Sequence, residues 1–230
     1  MAPIDVSGLA AWIAERSLGV HRFLFGITGP PGSGKSTLAE ALAGELGAPV
    51  VPMDGFHLPN AVLAARGLRD RKGAPETFAA QTFVDVVRRL RVAADDVECP
   101  TFDRELDEPV ADAVRVTPDD VIVLVEGNYL LLDDAPWTQL AGLFDAVAYL
   151  DVADEVRVGR LVERHVAFGR SRSEAFDFVR RSDEANARRI QPGRSRADVI
   201  VSLAGPPVFR APQAGIEPAT FRLGGGCSIH

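Results

Sequence analysis

Apolar residues in this chain gather in short unbroken runs. Residues 22–28 (RFLFGIT), 50–53 (VVPM), 121–125 (VIVLV), 146–150 (AVAYL) and 198–203 (DVIVSL) are each about the length of one strand. Continuous runs of this kind belong to strands covered on both faces, as in parallel sheets. Between them the period changes to that of a helix. Val6, Leu9 and Ile13 share a face of residues 5–17, and Leu38, Leu42 and Leu46 share a face of residues 36–46. Phe83, Val87 and Leu90 do the same in residues 77–90. Gly47 and Pro49 stop the second of these helices. Residues 154–168 and 173–190 read as helices around a break at Gly169 and Arg170. The stretch 55–118 is less regular: residues 56–75 are rich in Gly, Pro and Arg and read as loop with a short helix, and residues 118–120 form a turn.

Strands alternating with helices predict an α/β fold, a doubly wound parallel sheet between two helical layers. Ligands of such sheets bind at the carboxyl ends of the strands. Three polar features fall on that edge: the segment after the first strand, Asp54 after the second, and Glu126 after the third.

A chain of 230 residues, 47% apolar and 25% charged, fits one soluble domain with a full core. We place that domain at residues 1–204. Beyond it, GPPV at 205–208 and GGG at 224–226 frame a segment with no clear period, so residues 205–230 are expected to form a poorly ordered tail. The string at 214–228 also resembles peptide made when a reading frame runs into a tRNA gene in antisense. Cys99 and Cys227 are too few for a disulfide framework, and no His/Cys cluster has zinc spacing. The start lacks a signal pattern and no apolar run reaches the length of a membrane span. These features point to a cytoplasmic protein without a membrane partner, and the net charge of −7 argues against nucleic acid as a partner. Oligomeric state is left open, a homodimer included.

Charge is unevenly placed. Eleven of the arginines lie between Arg157 and Arg196. That excess is either an anion-binding surface or a solvated helix face paired with its own acids.

The string GPPGSGKS at residues 29–36 fits the phosphate-binding pattern G-x-x-x-x-G-K-[ST], with a predicted strand before it and a predicted helix after. Gly29, Gly32 and Gly34 permit a tight turn whose N–H groups point inward, and the positive end of the next helix completes a cradle for phosphate. Lys35 is expected to reach the outer phosphates and the Ser36 hydroxyl to bind Mg²⁺. Lys35 and Lys72 are the only lysines beside 23 arginines, which makes a lysine here a marked exception. Asp54 suits the role of proton acceptor for an attacking hydroxyl, and Glu126 that of a Mg²⁺ ligand. Each is alternatively a cap or turn residue after a strand.

These residues carry a resemblance. The chain from residue 23 to residue 203 resembles the P-loop kinases that include uridine kinase, phosphoribulokinase and bacterial type I pantothenate kinase. MDGFHLPNAVL at 53–63 is similar to the D-G-F-x-x-P-N segment of pantothenate kinase, extended by RGLRDRKG at 66–73 and Pro75-Glu76. VLVEG at 123–127 resembles the strand ending the second nucleotide motif. NARRIQPGRSRA at 186–197 resembles the N-I-x-P-T-R-x-R-A segment near the nucleotide. PTFDR at 100–104 stands where pantothenate kinase has a Tyr/His-bearing segment, and the Tyr-containing acceptor motif of uridine kinases is absent.

The resemblance implies a P-loop sandwich with a helical lid over about residues 157–190, ATP and Mg²⁺ as cofactors, and phosphoryl transfer to a small hydroxyl-bearing acceptor. It assigns Gly29, Pro30, Pro31, Gly32, Ser33, Gly34, Lys35, Ser36 and Thr37 to the nucleotide, with Arg160, Arg194 and Arg196. It assigns Asp54, His57, Arg104 and Asn128 to the acceptor, Asp54, Lys35 and Arg164 to catalysis, and Ser36 with Glu126 to the metal. The lid arginines Arg160, Arg164 and Arg170 are alternatively solvated helix residues, and His57 and His165 ordinary surface histidines. A regulatory ATPase acting on a partner protein is a second reading, since a near-identical loop occurs in metallochaperone-type GTPases. Their N-K-x-D guanine motif is missing here. Dinucleotide binding is set aside because G-x-G-x-x-G spacing is absent.

Overall fold

Five parallel strands form the central sheet because their apolar runs can be covered on both faces only there. In a computed structural model, which describes residues 5–202 and the backbone of 208–209, the strands are β1 (Phe23–Thr28), β2 (Val50–Pro52), β3 (Val97–Asp103), β4 (Glu108–Val116), β5 (Ile122–Glu126), β6 (Ala146–Asp151), β7 (Val199–Ser202) and β8 (Val208–Phe209). The sheet order is β2-β5-β1-β6-β7-β8, and β3 with β4 forms a separate pair. All neighbours in the main sheet are parallel except β8, which runs antiparallel to β7. The expected boundary at residue 204, nearly all of the expected tail at 205–230, and Cys227 lie outside the described residues.

One face of the sheet is covered by α1 (Val6–Arg16) and α2 (Lys35–Leu46), through Leu9, Ile13, Leu38 and Leu42 against Phe25, Ile27 and Leu124. The other carries α4 (Ala80–Val92), with Phe83, Val87 and Leu90 packed on Val123, Val125, Tyr129 and Trp137. α3 (Asn60–Ala65) is the short helix in the 56–75 loop. The remaining helices, α5 (Asp154–Ala167), α6 (Arg172–Phe178) and α7 (Glu184–Ile190), stand over the carboxyl edge, with a small core of Leu161, Val162, Ala175 and Val179. The chain leaves β1 toward β2 on one side and reaches β6 on the other, so the crevice above β1 is the topological switch point.

The structure departs from the expected elements in three places. The irregular stretch contains the antiparallel hairpin β3–β4, whose turn includes Asp107 at φ 54°. Only its base is buried, at Val97, Cys99 and Val116, so no alternation runs along it. The helix expected at 77–90 is preceded by a 3₁₀ turn (Pro75–Thr77) and runs as α4 from Ala80 to Val92. The single helix expected at 173–190 is α6, a π-helical turn (Val179–Asp183) and α7. One inserted residue leaves hydrophobic periodicity nearly intact, so the sequence hides it.

Phe83 is fully buried and meets Phe56 edge-on at 5.1 Å. Phe83→Ala should cost about 3–5 kcal/mol of stability, read as a lower denaturant midpoint at unchanged slope; a loss under about 1 kcal/mol would mean that this layer is not close-packed.

Candidate active site

The loop between β1 and α2 is shaped by what glycine allows. Gly32 and Gly34 have φ of 76° and 95°, in the left-handed region. A Cβ on Gly32 would lie 2.7 Å from the Arg157 carbonyl oxygen and 2.9 Å from Leu161 Cγ. Gly34 precedes α2 directly, so the first N–H groups of that helix close the loop. The Ser33 N–H donates to the Pro30 carbonyl at 3.2 Å, and Lys35 Nζ donates to the same oxygen at 3.2 Å. Burial lowers the Lys35 pKa to about 8, against the pull of the Glu126 and Asp54 carboxylates and with the push of Arg164 and Arg157.

Glu126 ends β5 beside Ile27 of β1. Ser36 Oγ donates to Glu126 Oε1 at 3.3 Å. Burial raises the Glu126 pKa to about 7, helped by Asp54 and opposed by Lys35, Ser36 and Arg104. A buried carboxylate held this close to neutrality gains from an arriving cation. Two hard oxygens side by side fit Mg²⁺, which keeps most of its other ligands as water and phosphate. Among the described residues no group of three or more His, Cys, Asp or Glu is placed to hold a metal ion.

Asp54 sits in the 3₁₀ turn (Met53–Phe56) that follows β2. Its neighbour must be glycine, since a Cβ on Gly55 would lie 2.3 Å from the Pro100 carbonyl oxygen. That close approach seats the turn on β3 and brings Arg104 to 3.9 Å from Asp54 Oδ2. The Asp54 carbonyl lies 2.9 Å from His57 Nδ1. A carbonyl only accepts, so Nδ1 carries the proton. Burial lowers the His57 pKa, which keeps the ring neutral and Nε2 an acceptor. The ring lies between Phe78 and Phe102, with centroids at 4.0 and 5.0 Å.

The lid helices close the opposite wall. Arg160 Nη1 reaches the Gly32 and Ser33 carbonyls at 3.4 Å. His165 Nε2 lies 3.2 Å from Asp183 Oδ2, and the Arg170 guanidinium stacks on Phe178 at 3.9 Å. The walls enclose a cleft of about 1340 Å³. Gly32, Gly34, Lys35, Ser36, Thr37, Asp54, His57, Arg104, Glu126, Asn128, Arg160 and Arg164 all line it. Arg194 and Arg196 do not. Arg194 pairs with Asp151 at 2.7 Å, and Arg196 is engaged by the Leu131 carbonyl and, at 3.9 Å, by Asp133.

The structure adds residues that the sequence reading left out. Lys72 Nζ donates to Asn60 Oδ1 at 2.9 Å and lies over the Phe102 ring. The Gly73 carbonyl accepts from Tyr129 Oη at 2.5 Å and Asn186 Nδ2 at 3.2 Å. Arg157 is buried against the phosphate loop. Lys72, Gly73 and Asn186 lie in the quoted motif segments, but these contacts join residues 12 to 126 positions apart, which spacing along the chain does not show.

Residues 24–206 match the phosphoribulokinase/uridine kinase family. The chain belongs to that family. It is 40% identical over 181 residues to the "uncharacterized protein YggC" of Escherichia coli (strain K12), covering 76% of this chain and 75% of that one. It is 36% identical to the "putative uridine kinase C227.14" of Schizosaccharomyces pombe, with 79% and 83% covered. A solved structure described as a "putative fructose transport system kinase" from Silicibacter sp. TM1040 superposes with a TM-score of 0.79 at 39% identity, over 85% of this chain and 98% of that one. This chain is thus a P-loop kinase, a phosphotransferase whose family membership implies the use of ATP. No helix among the described residues is long and apolar enough to cross a membrane.

Glu126 supplies a pH test. Its pKa is raised on folding, so ionising it in the folded protein costs stability as pH rises toward about 7. Glu126→Gln removes that cost. The melting temperature of the nucleotide-free variant, relative to wild type, should climb between pH 4.5 and 7 and level off above. A difference independent of pH would show that Glu126 is not strained by burial.

Proposed function

We propose that this kinase transfers the γ-phosphoryl group of ATP, with Mg²⁺, to a hydroxyl of a small metabolite: a nucleoside, a sugar or a pantothenate-like compound. What carries the reading is one cleft with two chemically different ends. The glycine loop with Lys35, Ser36 and Glu126 forms one end, and Asp54 with His57 and Arg104 the other. Asp54, at the second end, is still close enough to act electrostatically on both Lys35 and Glu126 of the first.

In this reading the loop N–H groups cradle the phosphates and Lys35 offsets their charge. Ser36 and Glu126 would hold Mg²⁺, whose charge would offset that of the phosphates. Asp54 orients the acceptor hydroxyl and takes its proton, with Arg104 3.9 Å from its carboxylate. His57, through Nε2, accepts from a second donor on the acceptor, and Asn128 also lines the cleft. Arg160 and Arg164 approach from the lid, where guanidinium groups stabilise charge developing on the transferring group. Arg194 and Arg196 would reach a nucleotide only by giving up Asp151 and Asp133, so they have no step here. The names carried by the relatives, uridine kinase and fructose transport system kinase, span a nucleoside and a sugar.

The test is a screen of purified protein with Mg²⁺ and ATP against nucleosides, sugars, pantothenate and other vitamins, reading ADP release. Acceptor-dependent release is expected; release that needs no acceptor would favour a regulatory ATPase. Asp54→Asn should bind ATP nearly as wild type and lose about 10²–10⁴-fold in transfer rate. Lys35→Ala should lose both transfer and ATP affinity. Normal transfer by the Asp54 variant removes it as the base, and lost ATP affinity at normal maximal rate moves it into the metal site.

A further inference from the structure

Arg157 is among the largest fully buried side chains of the described residues, 1% exposed. Burying a guanidinium is costly unless its charge and donors are matched. Two carboxylates match the charge: Nη2 donates to Asp154 Oδ1 at 2.6 Å and to Glu184 Oε1 at 2.9 Å, and Nε donates to Asp154 Oδ1 at 3.2 Å. Nη1 makes a different bond, to the Pro31 carbonyl of the phosphate loop at 3.1 Å. That bond adds nothing to the charge balance. Its effect falls on the loop.

The peptide between Pro31 and Gly32 is planar, and in a trans peptide the C=O and N–H point in opposite directions. Holding the Pro31 carbonyl toward α5 therefore turns the Gly32 N–H away from α5, the orientation a phosphate nest requires. Pro30 and Pro31 have no N–H, so Gly32 carries the first donor in the loop after Gly29. The same peptide is pressed from the α5 side, since Gly32 packs on the Arg157 carbonyl and Leu161. Glu184, the other end of the link, opens α7 directly after the π-helical turn. Beside it, Asp183 pairs with His165, and Asn186 donates to the Gly73 carbonyl on the acceptor wall.

We propose that Arg157 is a positioning residue: it aims the Gly32 N–H at the nucleotide phosphates and, through Glu184, ties the loop to the first turn of α7 and the acceptor wall. The inference rests on the reading that this loop binds nucleotide. It differs from a purely structural role in what it predicts for affinity.

The experiment uses the full chain with Mg·ADP as probe, titrated calorimetrically well below the melting temperature. Amide exchange at Gly32 and Ser33 is followed in parallel. Arg157→Lys keeps the charge but cannot fork to three partners. It should stay folded, weaken Mg·ADP roughly tenfold, the equivalent of one charge-assisted hydrogen bond, and speed exchange at Gly32. Glu184→Gln should do the same to a smaller extent. Val162→Ala, in the lid core, is the structural control and should lower the melting temperature while sparing Mg·ADP affinity. If Arg157→Lys does not fold, Glu184→Gln, which leaves Arg157 paired with Asp154, decides alone. Wild-type Mg·ADP affinity in the folded variants overturns the inference. Wild-type protein that binds no Mg·ADP overturns the reading of the loop itself.

Discussion

The closeness of Gly32 to α5 is the constraint on which the rest of this structure depends. With no Cβ in the way, the loop backbone lies against the Arg157 carbonyl and Leu161. The helical lid is thereby seated on the phosphate loop instead of standing clear of it. Because α5 begins just after β6, the neighbour of β1, the same contact fixes the lid over the switch point of the sheet. A side chain at residue 32 would clash with the Arg157 carbonyl and Leu161, so loop or helix would have to shift.

Electrostatics in the cleft follow from that enclosure. Lys35 and Glu126 are both buried, and each is pushed toward its neutral form by loss of water more than it is held charged by the other. Such a pair is poorly satisfied on its own, since burying an ion costs several kcal/mol even after relaxation. A phosphate chain beside the lysine and a cation beside the glutamate would relieve both. The cleft is thus preorganised for a ligand that brings negative and positive charge together, as a nucleotide with its metal does.

The other end of the cleft, to which the proposed function assigns the acceptor, is built differently. Its polar groups are already engaged: Asp54 by Arg104, Lys72 by Asn60 and Asp107, and the Gly73 carbonyl by Tyr129 and Asn186. Around them stand aromatic faces from Phe78 and Phe102. A chamber whose groups are fixed by one another selects by shape and by the few lone pairs left over, such as His57 Nε2. Its walls come from β3, the 3₁₀ turn after β2, and the lid, and in the proposed reading recognition would be a property of those walls together.

The sequence by itself determined the parallel sheet, the phosphate loop and the positions of Asp54 and Glu126. Each depends on a local rule: an unbroken apolar run, a glycine spacing, or a polar residue ending a strand. Tertiary structure alone decided the β3–β4 hairpin, whose buried positions are confined to its base, and the π-helical turn that splits the last helices. It also sorted the arginines. Arg160 and Arg164 face the cleft, Arg194 and Arg196 are held by acids outside it, and Arg157 is buried as a link between loop and lid. One-dimensional spacing cannot separate these cases, because an arginine's role depends on which carbonyl or carboxylate the fold brings to it, and those partners lie as far as 128 residues away.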